Sequence, residues 1–119
     1  MTTLVDDGIA ETFRALGDPV RFTMVEYLSR HREATVGDLA ALFPISLQAV
    51  SRHIKVLEAA GVVSQHRAGR RRPVVLEAPD MVAAASWLEV RLGRLEERYA
   101  RLDAVLTELT TDEAKEGGR

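Results

Sequence analysis

Ser46-Leu-Gln-Ala-Val-Ser-Arg-His-Ile-Lys-Val-Leu-Glu-Ala-Ala-Gly61, continued by Val62-Val-Ser-Gln-His-Arg-Ala-Gly-Arg-Arg-Arg72, is the stretch whose reading decides the fold. Serine at position 46 can accept a hydrogen bond from the free amides of a first helical turn, and Gly61 can adopt the left-handed backbone that ends a helix. Between them Val50, Ile54 and Leu57 recur at spacings of four and three, so one face packs. Gln48, Ser51, Arg52 and Lys55 fall outside that face and remain free to touch a partner. After the glycine, Val62 to Arg67 and Arg72 to Glu77 read as short strands joined by a turn containing Gly69. The expected unit is therefore a helix followed by a β-hairpin with a basic tip.

Charge sharpens this reading. The 119-residue chain has a net charge of −2, which by itself does not suggest a nucleic-acid partner. Its distribution does. Residues 45 to 76 hold six Lys or Arg against the single acid Glu58, a local net of +5, whereas the segments before and after carry −3 and −4. A positive field confined to a helix and its following hairpin is the footprint of a phosphate-binding surface.

Outward from this unit, the N-terminal half reads as three more helices. The first spans about Asp7 to Leu16, with Ile9, Phe13 and Leu16 on one face. Gly17 ends it, and Asp18-Pro19 starts the next, because Asp caps free amides and Pro at the first helical position lacks only a donor that is not needed. That second helix runs to about Arg30 and is expected to bury Val20, Met24 and Leu28, helped by Phe22 and Tyr27. Thr35-Val-Gly-Asp38 resembles a capping box opening a short helix that ends near Phe43, where Pro44 forces a turn.

From Pro79-Asp80 a last helix is expected to reach about Leu109, roughly 45 Å. Met81, Ala85, Leu88, Leu92, Leu95, Tyr99, Leu102, Leu106 and Leu109 alternate spacings of four and three along it, an unbroken heptad seam. So long a seam exceeds what a domain of this size can cover, and charged residues flank it. Its expected use is contact with a second copy.

The composition bounds the rest. With 46% hydrophobic residues the chain suits one compact domain, expected over residues 6–110, with a polar disordered tail at 111–119. No stretch approaches the roughly 18 apolar residues of a membrane span, and the N-terminus lacks a signal peptide's pattern, so a cytoplasmic protein without membrane contact is expected. The absence of cysteine excludes disulfides and thiolate metal sites. His31, His53 and His66 accompany no nucleophile signature or phosphate loop, so no catalytic residue, enzyme activity or cofactor is expected. No metal site is expected either. The metal-binding alternative would need these histidines, or Asp6, Asp7 and Glu11, as oxygen and nitrogen ligands.

Phe13-Arg-Ala-Leu-Gly-Asp-Pro-Val-Arg21, the helix around Asp38-Leu-Ala-Ala-Leu42, Ala49-Val-Ser-Arg-His-Ile-Lys-Val-Leu-Glu-Ala-Ala-Gly-Val63 and the Gly-Arg-Arg-Arg wing together make the chain similar to ArsR-type winged helix-turn-helix regulators. The resemblance covers about residues 9 to 105. It implies a mainly α fold with a small β-hairpin, in the order α-α-α-α-β-β-α, and a homodimer joined through the first and last helices. It also implies transcriptional repression. Two features differ from many members. Their Ser-Gln opening of the recognition helix is here Ser46-Leu47-Gln48, moving the amide about 100° around the axis, and the cysteine sensing motif is missing.

In such a fold the helix from Ser46 enters the major groove with its N-terminal half leading. Gln48, Ser51 and Arg52 are then the candidates for base edges. Thr35, Ser46, His53 and Lys55, with Arg67, Arg70, Arg71 and Arg72 of the wing, are candidates for phosphate or groove contact, although capping competes for Thr35 and Ser46 and helix packing for His53. Ile9, Phe13, Leu88, Leu92, Leu95, Tyr99, Leu102 and Leu106 are the candidates for the dimer interface. The partners expected are double-stranded DNA and a second copy, and no effector is specified by these residues. The competing class is a winged helix that binds protein; within the same class, the alternative is a metal-responsive repressor with His, Asp or Glu ligands.

Overall fold

The computed structural model describes the backbone of residues 4–117 and the side chains of residues 8–111. The elements follow the order α1 (Leu4–Leu16), α2 (Pro19–Arg30), α3 (Val36–Ala40), α4 (Leu47–Ala59), β1 (Val63–Gln65), β2 (Val74–Leu76) and α5 (Pro79–Gly117). This is the expected winged helix-turn-helix order. Two compact units divide it, Met1–Ala85 and Ser86–Arg119, with the division inside α5.

Local chemistry sets most boundaries in the first unit. The Asp18 carboxylate accepts the amides of Val20 at 2.9 Å and Arg21 at 3.1 Å, with Pro19 at the first helical position. The capping box is complete. Thr35 Oγ1 accepts the Asp38 amide at 3.0 Å, and Asp38 Oδ2 accepts the Thr35 amide at 2.9 Å. Helix α3 stops at Ala40, earlier than expected, because Leu42 and Phe43 donate to the carbonyls three residues back and tighten the chain into a turn.

Helix α4 is bounded as its flanking residues require. Ser46 Oγ accepts the Ala49 amide at 3.1 Å. At the other end Gly61 N–H donates to Glu58 O and Val62 N–H to Leu57 O, the two bonds of a Schellman motif, with Val62 and Leu57 both in the core. Gly61 has φ +76°, and a Cβ there would run into the Asp80 carboxylate in the first turn of α5. Glycine is needed twice over.

The strands are shorter than expected. They pair antiparallel, Val63 with Leu76, Ser64 with Val75 and Gln65 with Val74. At the wing tip Ala68 and Arg71 exchange both backbone hydrogen bonds around Gly69 (φ +66°) and Arg70, which leaves only the first central residue with positive φ, the pattern of a type II′ turn. Ala34, just before α3, exchanges hydrogen bonds with Val74 at 3.0 and 2.7 Å. That bridge fastens the loop after α2 to the hairpin, a long-range pairing no local pattern announces.

Met24, Leu28, Leu39, Val50, Ile54, Leu57, Val62, Val63 and Val74 form the core, so α2, α3, α4 and the hairpin share one interior. Val20, Tyr27 and Met81 pack against it. Phe22 does not: it is 64% exposed, because it lies two residues before Met24 and so falls away from the buried side of α2. Thr12 is fully buried and its hydroxyl donates to the Gly8 carbonyl, so no polar penalty arises.

Within the second unit, α5 is a single helix in which Leu88, Leu92, Leu95, Tyr99, Leu102, Leu106 and Leu109 are 38 to 59% exposed. The Arg91 guanidinium lies over the Trp87 ring, 4.2 Å from its centre. The helix continues to Gly117, past Leu109, so residues 111–117, expected as a disordered tail, are helical. The reason is compositional: Thr110-Thr-Asp-Glu-Ala-Lys-Glu116 contains no breaker, and the first glycine after Gly93 is Gly117. Among the described residues no helix is long and apolar enough to cross a membrane.

Candidate nucleic-acid interface

Burial of Val50, Ile54 and Leu57 fixes the rotation of α4 about its axis and thereby decides which side chains it presents. Gln48, Arg52 and Lys55 are exposed, with Ser51 half-buried between them and the core face. All four line one shallow surface depression together with Leu47. Four of these positions are polar or basic, and none is acidic.

The wing supplies the second part. Arg67, Arg70, Arg71 and Arg72 are all exposed. Arg67 and Arg72 line a groove with Lys55 of α4, so the helix and the hairpin present cations to the same space. Glu58 is the acid in that groove, and its carboxylate accepts from Gln65 Nε2 at 3.4 Å. The turn at Gly69 then carries Arg70 and Arg71 at the tip.

Two predicted contacts are committed elsewhere. The Thr35 side chain is occupied in the capping box. His53 faces the α1–α2 turn: its Nδ1 lies 3.1 Å from Arg21 Nη1 and 3.8 Å from Asp18 Oδ2. Because guanidinium can only donate, Nδ1 is the acceptor in that bond and the proton of the neutral ring sits on Nε2. Of the two roles expected for His53, packing is therefore the one its geometry provides. Ser46 caps with a lone pair of its oxygen, which leaves the hydroxyl hydrogen available to a further acceptor.

Arg21 is the residue that sequence reasoning missed. Its Nε donates to Ala15 O at 2.7 Å and its Nη2 to Arg14 O at 3.3 Å, so one side chain closes the carbonyl end of α1 while Nη1 reaches His53 on α4. The Arg21 amide, above all, holds the Asp18 carboxyl below its ordinary range. The amide of Val20 and the charge of Arg21 add to this against partial desolvation. Asp38 is lowered likewise, first by the Thr35 amide and then by the Thr35 hydroxyl, with Arg71 and His31 contributing charge. The available signal is the position of Arg21 in the first turn of α2, three residues after the Asp18 cap.

The histidines do not converge. His31 Nδ1 donates to Tyr27 O at 2.8 Å, His53 meets Arg21, and His66 Nε2 lies 3.0 Å from Ser64 Oγ, which itself donates to Glu77 at 2.5 Å. Among the described residues no group of three or more His, Asp or Glu is placed to hold a metal ion. Asp6 and Asp7, named in the metal-binding alternative, have side chains outside the described residues. Ile9 and Phe13 are half-buried on α1.

Known proteins share these features. Residues 16–66 match a helix-turn-helix domain family. The chain is 38% identical over 90 residues to the HTH-type transcriptional regulator Rv2034 of Mycobacterium tuberculosis, covering 76% of this chain and 83% of that one. It is 38% identical over 58 residues to the transcriptional repressor SdpR of Bacillus subtilis, covering 49% of this chain and 63% of the relative. The crystal structure of an ArsR family transcriptional regulator superposes with a TM-score of 0.69 at 33% identity, covering 76% of this chain and 92% of the other. With the hairpin wing, the bounded α4 and an identity of this extent, the chain belongs to the ArsR family of winged helix-turn-helix, DNA-binding transcriptional regulators, which are not enzymes.

Proposed function

We propose that the protein acts in the cytoplasm as a homodimeric, sequence-specific repressor that reads an inverted-repeat operator with α4 and anchors itself with the wing. The observation that carries this reading is the division of α4 into a fully buried apolar stripe and an exposed polar face that shares its groove with wing arginines. Gln48 can pair bidentately with adenine and Arg52 with guanine, and Ser51 serves either. Lys55, Arg67 and Arg72 neutralise phosphates beside the groove. Arg70 and Arg71 follow the backbone or enter the minor groove, where negative potential is strongest. The hydroxyl of Ser46 donates to a phosphate at the end of the helix.

Repression is favoured by the likeness to SdpR, which is named a repressor. Dimerisation is favoured by the exposed seam of α5, whose leucines at alternating three and four spacing bury apolar area only against another helix. Two recognition helices related by a two-fold axis match half-sites about 34 Å apart. With on the order of 6 to 10 phosphate contacts per dimer, log affinity should fall against log salt with a slope of about −5 to −9.

Selection of bound DNA from a random library, with wild type, Arg52→Ala and the triple Arg70→Ala, Arg71→Ala, Arg72→Ala, tests the proposal. The expected result is a palindrome whose definition is relaxed by Arg52→Ala and whose affinity is lowered uniformly by the triple change, separating base reading from phosphate anchoring. No enrichment even at low salt would reject it in favour of a protein-binding winged helix.

A further inference from the structure

Leu47 is the one member of the interface depression that neither donates nor accepts a hydrogen bond through its side chain and carries no charge. It stands three residues before Val50, so its spacing continues the buried stripe of Val50, Ile54 and Leu57. It is nevertheless 56% exposed, whereas the other three are at most 1% exposed. An isobutyl group at the leading end of a DNA-reading helix gains nothing from a phosphate. On the base edges of the major groove the apolar group available to it is the C5-methyl of thymine.

We propose that Leu47 is a specificity-determining residue that packs on a thymine methyl in each half-site, beside the base pair read by Gln48. The inference rests on the reading of α4 as the base-contacting helix. Its geometry supports the pairing of roles: Leu47 and Gln48 are consecutive and diverge by about 100° around the axis, and Ser51 lies one turn beyond Leu47. Apolar and hydrogen-bonding readout are thus set side by side in the same depression. Moving the amide from the second to the third position of the Ser46-Leu47-Gln48 opening then replaces one polar base contact with an apolar one.

Removing the methyl alone isolates the effect. The operator selected by the wild-type chain is prepared with each half-site thymine replaced in turn by deoxyuridine, and binding is followed by fluorescence anisotropy for wild type and Leu47→Ala. One thymine per half-site should weaken wild-type binding about fourfold on losing its methyl, and Leu47→Ala should bind the thymine and deoxyuridine versions equally. Because Leu47 is exposed, the variant should keep the wild-type melting temperature. The inference is overturned, with DNA reading intact, if the half-sites contain no thymine, if no deoxyuridine version weakens wild type, or if Leu47→Ala keeps the wild-type preference for thymine. Failure of wild type to select any DNA would instead remove the base-reading role of α4 and this inference with it.

Discussion

Helices α4 and α5 carry the same kind of apolar stripe and use it in opposite ways. In α4 the residues at spacings of four and three are essentially inaccessible, whereas the seam of α5 from Leu88 onward is about half exposed. Periodicity therefore identifies which face of a helix is apolar, but not what covers it. In the first unit α2, α3 and the hairpin already surround α4. The seam of α5 continues for several heptads, the length over which the proposed dimer would pair two copies.

The contrast is most easily broken from the α4 side. Ile54→Ala should lower unfolding free energy by about 2–5 kcal/mol, measured by urea denaturation, because the cavity lies where helix and hairpin elements meet. A loss below about 1 kcal/mol would mean that the stripe is less tightly packed than its burial indicates.

Next in size is the seam. The double change Leu95→Glu, Leu102→Glu places charges on exposed positions, so it should leave the first unit folded. It should raise the dimer dissociation constant at least about a hundredfold. Analytical ultracentrifugation across concentration reads this directly, and an unchanged self-association would move the interface off α5.

The smallest effect separates the two regions by pH. Asp18→Ala removes the cap of α2 and should cost about 1 kcal/mol at neutral pH, with no influence on α5 self-association. Asp18 has its carboxyl lowered in the folded state, so the unfolded chain binds the proton more readily and stability rises with pH through the titration. The stabilisation is full above the unfolded value of about 3.9 and is lost as pH falls through the lower folded value. The gap between wild type and variant in a thermal melt should accordingly be complete at pH 6 and close in strong acid. A gap that persists there would show that the cap does not act through the carboxylate.

Much of the fold was legible because the decisive interactions are local. Asp18 before Pro19, Thr35 with Asp38, and Ser46 with Gly61 bound their helices through contacts within a few residues, so the sequence expectation matches those ends in type and nearly in position. The end of α5 is not legible in this way, because the polar residues 111–119 suggest disorder while nothing from 111 to 116 interrupts a helix, which continues to Gly117. Phe22 departs from its expected place as well, since aromatic character alone does not specify which side of α2 faces the core. In the interface, exposure of Gln48, Arg52, Lys55 and the wing arginines follows from the stripe and the hairpin. The engagement of His53 by Arg21 depends on two segments separated by thirty-two positions.

The sequence by itself determined the order of elements, the capped helix with its apolar face, the glycine turns and the concentration of positive charge, because each depends on spacing or on backbone chemistry within a turn or two. Only the tertiary structure decided that Ala34 joins the hairpin, that Arg21 ties the end of α1 to His53, that Lys55 and Arg72 share a groove, and that Leu47 stays outside the core. Those outcomes depend on which surfaces meet after the chain has folded back on itself, and side-chain pattern along one helix cannot state what stands opposite it.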